Sequence, residues 1–230
     1  MADRAELFPG LGLVVSGGHT SLYEMASPVS FVRIGKTIDD AVGEAYDKVA
    51  AMLGLGFPGG PMVDTLAQRG RADRHEFPLG TLGRDSLDFS FSGLKTAVKY
   101  AAFGVPRRGE RAMVPRALGD ATIADLCAGF QAAAVETLVR KVGRALDQGA
   151  AARGSPVRAF FVGGGVSANS LLRSRLAELG AARGIRVIMP ARGLCLDNAA
   201  MIAGLGHALL AERAWRGDAL SLGASPSGGV

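Results

Sequence analysis

The sequence predicts an α/β fold, a mixed sheet flanked by helices, and three observations carry that prediction. Residues 157–162 are a short apolar run that passes through Gly163, Gly164 and Gly165 into a helix start, the strand–turn–helix unit of α/β proteins. Residues 11–16 and 21–25 read as the two arms of a hairpin, with a third strand at 29–34. Residues 121–148 hold Ile123, Leu126, Cys127, Phe130, Ala134, Leu138, Val142 and Leu146 at helical spacing, a stripe that faces a core.

Taken in order, the first strand ends in Ser16-Gly17-Gly18-His19-Thr20. Its glycines either let backbone lie against a ligand or simply close a tight hairpin. Residues 39–53 read as a helix with Ala41, Val42, Ala45, Val49 and Met52 on one face. Asp40, Glu44 and Asp47 recur at spacings of four and three. Their carboxylates share a side, which is a solvated face or, turned towards the glycine loops, an acceptor surface for hydroxyls or an amine.

Phe57-Pro58-Gly59-Gly60-Pro61 is a rigid turn, and residues 62–68 form a short helix with Asp64 in its first turn. Residues 69–84 are charged and aperiodic, hence a surface excursion. Residues 87–92 alternate apolar and polar and predict a half-buried strand; residues 93–102 predict a helix whose Lys95 and Lys99 face a phosphate backbone or, as the favoured reading, plain solvent. Prolines bracket residues 106–115, where Arg107, Arg108 and Arg111, followed by Arg116, suggest a flexible basic loop. On a protein that meets RNA this loop is the first place to test. Asp120 is expected to cap the helix at 121–148, and Cys127 on its stripe is a packed thiol.

After the three glycines, Ser167 or Asn169 caps a helix whose stripe is Leu171, Leu172, Leu176 and Leu179. Strand, glycine turn and helix N-terminus suit a phosphate, because open amides and the helix dipole point to one place. The same pattern also serves as a plain connection. Residues 185–189 read as another strand, closed by Pro190. Cys195-Leu196-Asp197-Asn198 then leads into a strongly apolar helix at 199–215. Asp197 is expected either as its N-cap or as a hard oxygen ligand to a metal, and His207 as a hydrogen-bonded core histidine. Residues 1–10 are expected to be disordered, and 217–230 to form a Gly/Ser-rich tail.

Composition narrows the class. With 48% hydrophobic and 20% charged residues among 230, the chain is globular rather than disordered. Glycine stands at 33 residues, about twice the usual ~7%, and gathers in loops. The net charge of +5 suits a partner with phosphates without identifying one. Two cysteines without CxxC spacing, no signal peptide and no apolar run of about 20 residues read as a reduced, cytoplasmic protein.

Several segments together resemble the tRNA N6-adenosine threonylcarbamoyltransferase family. They are residues 15–20, residues 38–48 with the Phe57-Pro58-Gly59-Gly60-Pro61 turn, and Phe89-Ser90-Phe91-Ser92-Gly93-Leu94-Lys95-Thr96, followed by residues 163–169 and 195–203. The resemblance implies an actin, sugar-kinase and heat-shock-ATPase type of fold, ribonuclease H-like, of which residues 11–216 would be the second lobe and terminal helix. It implies transfer of a threonylcarbamoyl group from threonylcarbamoyl adenylate to N6 of adenosine 37, in tRNAs that read codons beginning with A. The partners implied are tRNA, a paralogous scaffold subunit and a small ATPase subunit. Val14, Val15, Ser16, Gly17 and Gly18 match the positions that line the family's adenylate pocket. Asp47, Gly60 and Asp64 match those bonding the nucleoside hydroxyls or threonyl part, and Asn169 one that orients the ligand. No catalytic side chain is implied. Asp197 matches the family's carboxylate ligand to iron or zinc.

The family's other metal ligands are an HxxxH pair, whereas the histidines here are His19, His75 and His207, no two of them four apart. One carboxylate holds a transition metal poorly, so a metal site made by this chain alone is not expected. The expectation is therefore a chain lacking the first lobe, from a truncated gene model or a split protein. A non-catalytic relative that binds nucleotide or serves as a scaffold stays open as an alternative. A sugar or acetate kinase fits less well, because the blocks at 38–48 and 89–96 serve no phosphoryl transfer. No zinc helix supports a metallopeptidase.

Overall fold

In a computed structural model, the residues described are 4–80, 82, 83, 85–105, 118–153 and 156–212, with the backbone alone at 4, 5 and 150–153. Three strands, β1 (Gly10–Val15), β2 (Thr20–Ser27) and β3 (Ser30–Lys36), run antiparallel, while β4 (Ala159–Gly163) and β5 (Arg186–Ile188) continue parallel from the other edge of β1. The sheet order is β3-β2-β1-β4-β5. Register pairs Leu11 with Phe160, and Leu13 with both Leu22 and Val162, so these apolar side chains share one face of the sheet. Buried there, they form a single core with the helices.

Among the described residues six helices complete the fold: α1 (Val42–Met52), α2 (Gly59–Ala67), α3 (Ser92–Phe103), α4 (Asp120–Arg153), α5 (Ser170–Arg183) and α6 (Ala199–Ala211). The 34-residue α4 is the central support. Over 120–149 it is long and apolar enough to cross a membrane by length and composition, which the sequence reading missed, but 72% of its most apolar stretch is buried in the protein. The buried Lys141 of α4 donates to the carbonyl of Ser86 at 2.6 Å, and its buried Thr137 accepts from the amide of Gly80 at 3.1 Å. The described part of the excursion, residues 69–80, 82 and 83, is largely solvent-facing yet pinned along α4, also through the amide of Arg71 and the carboxylate of Asp125 at 2.7 Å.

Several expectations are corrected. Residues 87–92 form no strand. Phe89 makes a lone parallel bridge to Thr37, and Phe89 and Phe91 are both buried on the same side of an extended run, their rings stacked with centres 6.3 Å apart. The segment before residue 11 has a 3-10 turn at Arg4–Leu7, and Phe8 stacks on Phe161 with ring centres 5.4 Å apart. Asp120 lies inside the first turn of α4 rather than capping it, since the carbonyl of Gly119 already takes the amide of Ile123. Lys95 is not left to solvent: it pairs with Asp40 at 2.7 Å. Helix α6 exposes most of its apolar surface, with Ile202 at 72% and Leu210 at 70%, and His207 is exposed rather than in a core. The basic loop at 106–115 with Arg116, and the tail from 217, lie outside the described residues.

Candidate functional site

Strands β1 and β4 are parallel neighbours, with Val14 opposite Gly163, so their carboxyl ends release two turns side by side. The chain leaves β1 towards β2 on one side and β4 lies on the other, which opens a crevice at the strand ends. Two glycines draw its walls together. Gly164 has φ +93, and a Cβ there would lie 2.3 Å from the carbonyl oxygen of Val15. The amide of Gly43 donates to the carbonyl of Ser16 at 3.2 Å, and a Cβ on Gly43 would come within 2.5 Å of that oxygen.

The crevice is a pocket of about 370 Å³. Gly17, Asp47, Gly60, Asp64 and Asn169 line it together with Tyr46, Arg192, Cys195 and Leu196. Of the other expected residues, Val15 is in the core, and alternation along β1 turns Val14 to the opposite face of the sheet. Ser16 closes its own turn by accepting the amide of His19 on Oγ at 3.0 Å. Gly18 is exposed beside Gly17.

The polar wall is a connected network. Gln131 of α4, buried to 3%, accepts from Asn169 Nδ2 at 2.8 Å and Tyr46 Oη at 3.3 Å, and donates from Nε2 to Asp64 Oδ1 at 3.1 Å. Asp64 also accepts from Ser170 Oγ at 2.6 Å and from the Ser170 amide at 3.0 Å. Asn169 caps α5 by accepting the amide of Leu172 on Oδ1 at 2.9 Å. Burial, then the nearby Asp64 carboxylate and Cys127 thiol, push the Tyr46 phenol far above its usual range, so Tyr46 serves as a neutral hydroxyl.

This arrangement corrects two expectations. A 3-10 turn at Gly165–Ala168 separates the glycines from α5, and the Asp64 carboxylate already answers the positive end of that helix. The N-terminus of α5 is therefore no open phosphate cradle. Asp64, moreover, sits in the middle of α2, which begins at Gly59 rather than at residue 62.

The expected carboxylate stripe divides, with Asp40 lying just before α1. Asp40 and Glu44 meet Lys48 at 2.7 and 2.8 Å, whereas Asp47 faces the pocket and accepts the amide of Gly59 on Oδ1 at 2.8 Å. Partial burial pushes the Asp39 carboxyl up, but donors from Ser90, Phe91 and Ser92 outweigh it and leave Asp39 below the ordinary carboxylate range. Asp40 is likewise held low by Lys48 and Lys95 against its own partial burial.

Asp197 is exposed and does not line the pocket; Asn198, not Asp197, caps α6 by accepting the amide of Met201 at 3.2 Å. Among the described residues no group of three His, Cys, Asp or Glu side chains is placed to hold a metal ion. The sequence reading passed over Gln131, Tyr46 and Ser170. Gln131 did carry a signal, because it is a polar residue in register with the apolar stripe of α4.

A family model of tRNA N6-adenosine threonylcarbamoyltransferase matches residues 1–204. Relatives of that name include one from Nitratidesulfovibrio vulgaris (strain DP4), 46% identical over 232 residues, covering 95% of this chain and 63% of the relative. Others come from Desulfovibrio desulfuricans, at 47% over 93% of this chain and 61% of the relative, and Sinorhizobium medicae, at 47% over 89% and 54%. The chain thus spans roughly three-fifths of the curated relatives it matches. A crystal structure of T.kodakarensis HypF superposes with a TM-score of 0.52 at 15% identity, over 82% of this chain and 22% of that one, a likeness of fold. By the extent of these matches, the chain belongs to the tRNA N6-adenosine threonylcarbamoyltransferase family.

Proposed function

We propose that the pocket holds the adenylate part of threonylcarbamoyl adenylate, and that the chain takes part in moving the threonylcarbamoyl group to N6 of adenosine 37 of tRNA. The observation that carries this reading is the meeting of Gly17, Asp47, Gly60, Asp64 and Asn169 on one pocket at the ends of β1 and β4. Its volume lies within the range of about 300–1,000 Å³ usual for small-molecule sites.

In this reaction the N6 lone pair forms a C–N bond to the carbamoyl carbon, the C–O bond to the phosphate breaks, AMP leaves with that electron pair, and the amine gives up a proton. The chain's part is binding and orientation. Gly17 leaves open space where a Cβ would project. Asp47 Oδ2 has no protein donor among the described residues and is available to a hydroxyl. Arg192 has no carboxylate partner among the described residues and brings a guanidinium to an anionic ligand. An iron or zinc ion belongs to the family reading, but the residues described here do not fit one, and no step is routed through it. The net charge of +5 supports tRNA as a partner. A scaffold subunit, a small ATPase subunit and a cytoplasmic setting complete the reading.

Calorimetric titration of the purified chain with AMP tests it. Saturable binding is expected, weakened about tenfold or more by Asp47→Ala and by Asn169→Ala; no binding at millimolar AMP, or unchanged affinity in both variants, overturns it. The alternative is a non-catalytic nucleotide-binding or scaffold relative of the same fold. A complementation assay for the modified adenosine separates the two readings.

A further inference from the structure

A carboxamide can sit in a pocket wall in two orientations that differ by exchanging its oxygen and nitrogen, and a ligand sees opposite hydrogen-bonding characters in the two. Asn169 faces that choice, and so does Gln131 behind it. The network leaves neither free to choose. Asp64 is a carboxylate and only accepts, so the group of Gln131 at 3.1 Å from Asp64 Oδ1 must be its nitrogen. The oxygen of Gln131 then faces Asn169 and Tyr46 and accepts from both. Asn169 must turn Nδ2 to that oxygen, with Tyr46 Oη also at 3.5 Å, and the amide of Leu172, which only donates, requires the same orientation by bonding Oδ1.

We propose that Gln131 is a positioning residue that relays the charge of Asp64 to Asn169 and, together with the Leu172 amide, holds Asn169 in one fixed orientation, and so sets the donor and acceptor pattern that the pocket presents to its ligand. The proposal rests on the adenylate reading above for the identity of that ligand. Gln131 itself does not line the pocket and acts through Asn169 and Asp64. At 3% exposure the Gln131 carboxamide itself is out of reach of water, where a partly satisfied group costs more than an apolar one.

The test compares the 230-residue chain with Gln131→Met, Gln131→Glu, Asp64→Asn and the double variant Asp64→Asn/Gln131→Glu. In Gln131→Glu two carboxylates face each other, and the donor to Asp64 is gone. The double variant reverses that bond: the side-chain nitrogen of Asp64→Asn donates to the new carboxylate, whose other oxygen still takes Asn169 Nδ2, and the Ser170 hydroxyl, which donates to the same Asp64 oxygen at 2.6 Å in the wild type, turns to accept instead. The oxygen that accepts the Ser170 amide keeps its place.

Two readouts are taken. The first is the side-chain amide pair of Asn169 by NMR without ligand. Its resonance should shift and its proton exchange quicken at least tenfold in Gln131→Glu, returning close to wild type in the double variant. The second is the AMP dissociation constant, which should rise about tenfold in Gln131→Glu and recover to within about threefold in the double variant. Gln131→Met, if folded, should behave like Gln131→Glu in both.

An Asn169 signal unmoved in Gln131→Glu, or a double variant no better than its single parents, overturns the proposal. Failure of the wild type to bind AMP sinks the adenylate reading instead. The ligand-free NMR comparison still decides whether Gln131 orients Asn169.

Discussion

The carboxylate of Asp64 takes both the amide and the hydroxyl of Ser170, at 3.0 and 2.6 Å, across 106 residues of chain. Helix α2 therefore supplies the acid that the start of α5 needs, and the two are locked at the floor of the pocket. Asp64→Ala removes a cap worth about 1–2 kcal/mol and strands a buried donor on Gln131 worth about 1–3 kcal/mol more. Urea denaturation should show a loss of about 2 kcal/mol or more, and Asp64→Asn a smaller one. Equal stability of Asp64→Ala and wild type would show that the link adds nothing.

Gly164→Ala should destabilise the chain by more than about 1 kcal/mol, since φ +93 disfavours any side chain and the added Cβ would press on the carbonyl of Val15. For a chain of this size that is a fall of roughly 2–4 °C or more in Tm per kcal/mol. A Tm equal to wild type would mean that the turn relaxes without cost.

Stability should weaken in acid partly through Asp39. Its folded pKa lies below the ordinary carboxyl value of 3.8, so folding favours the charged form. That contribution is full above the unfolded pKa and is lost as pH falls through the lower folded one. Asp39→Asn should therefore be less stable than wild type at pH 6 and should close the gap below pH ~3, read by urea denaturation at each pH. A constant difference from pH 6 to 2.5 would remove Asp39 from the acid response.

Burial pushes the Cys127 thiol up to about 11, and α4 holds it in the core. At pH 8 iodoacetamide should leave Cys127 unmodified in the native chain and alkylate it fully in urea, as followed by peptide mass spectrometry. Modification of the native chain within minutes would mean that this part of the core opens readily.

The hairpin and the strand–glycine–helix unit were legible because period-two apolar runs and glycine turns are local signals, and Asn169 as a cap is local too. Gly17, Asp47, Gly60, Asp64 and Asn169 were named through resemblance, yet their meeting depends on the parallel pairing of β1 with β4, which no local pattern encodes. The alternation at 87–92 misled because both phenylalanines are held by the core while the backbone finds only Thr37 to pair with. Gln131 was overlooked because the stripe around it satisfies a helix without it, and its three partners lie on other elements. The caps of α4 and α6 went to neighbours because an aspartate before a helix says nothing of which residue its backbone bends at.

The pocket is stiff on one flank and loosely hung on the other. Tyr46, Asp64, Gln131 and Asn169 bolt the first flank to α1, α2, α4 and α5, whereas among the described residues the Arg192–Leu194 turn and residues 195–198 hydrogen-bond only to one another, to Ala191 and to Met201 of α6, as where Asn198 Nδ2 meets the carbonyl of Leu196 at 2.8 Å. A guest entering the crevice would accordingly swing the second flank like a gate on a fixed post. Deuterium uptake should be rapid from 192 to 198 and slow at 131 and 172, and filling the crevice should quieten the former while leaving the latter as they were.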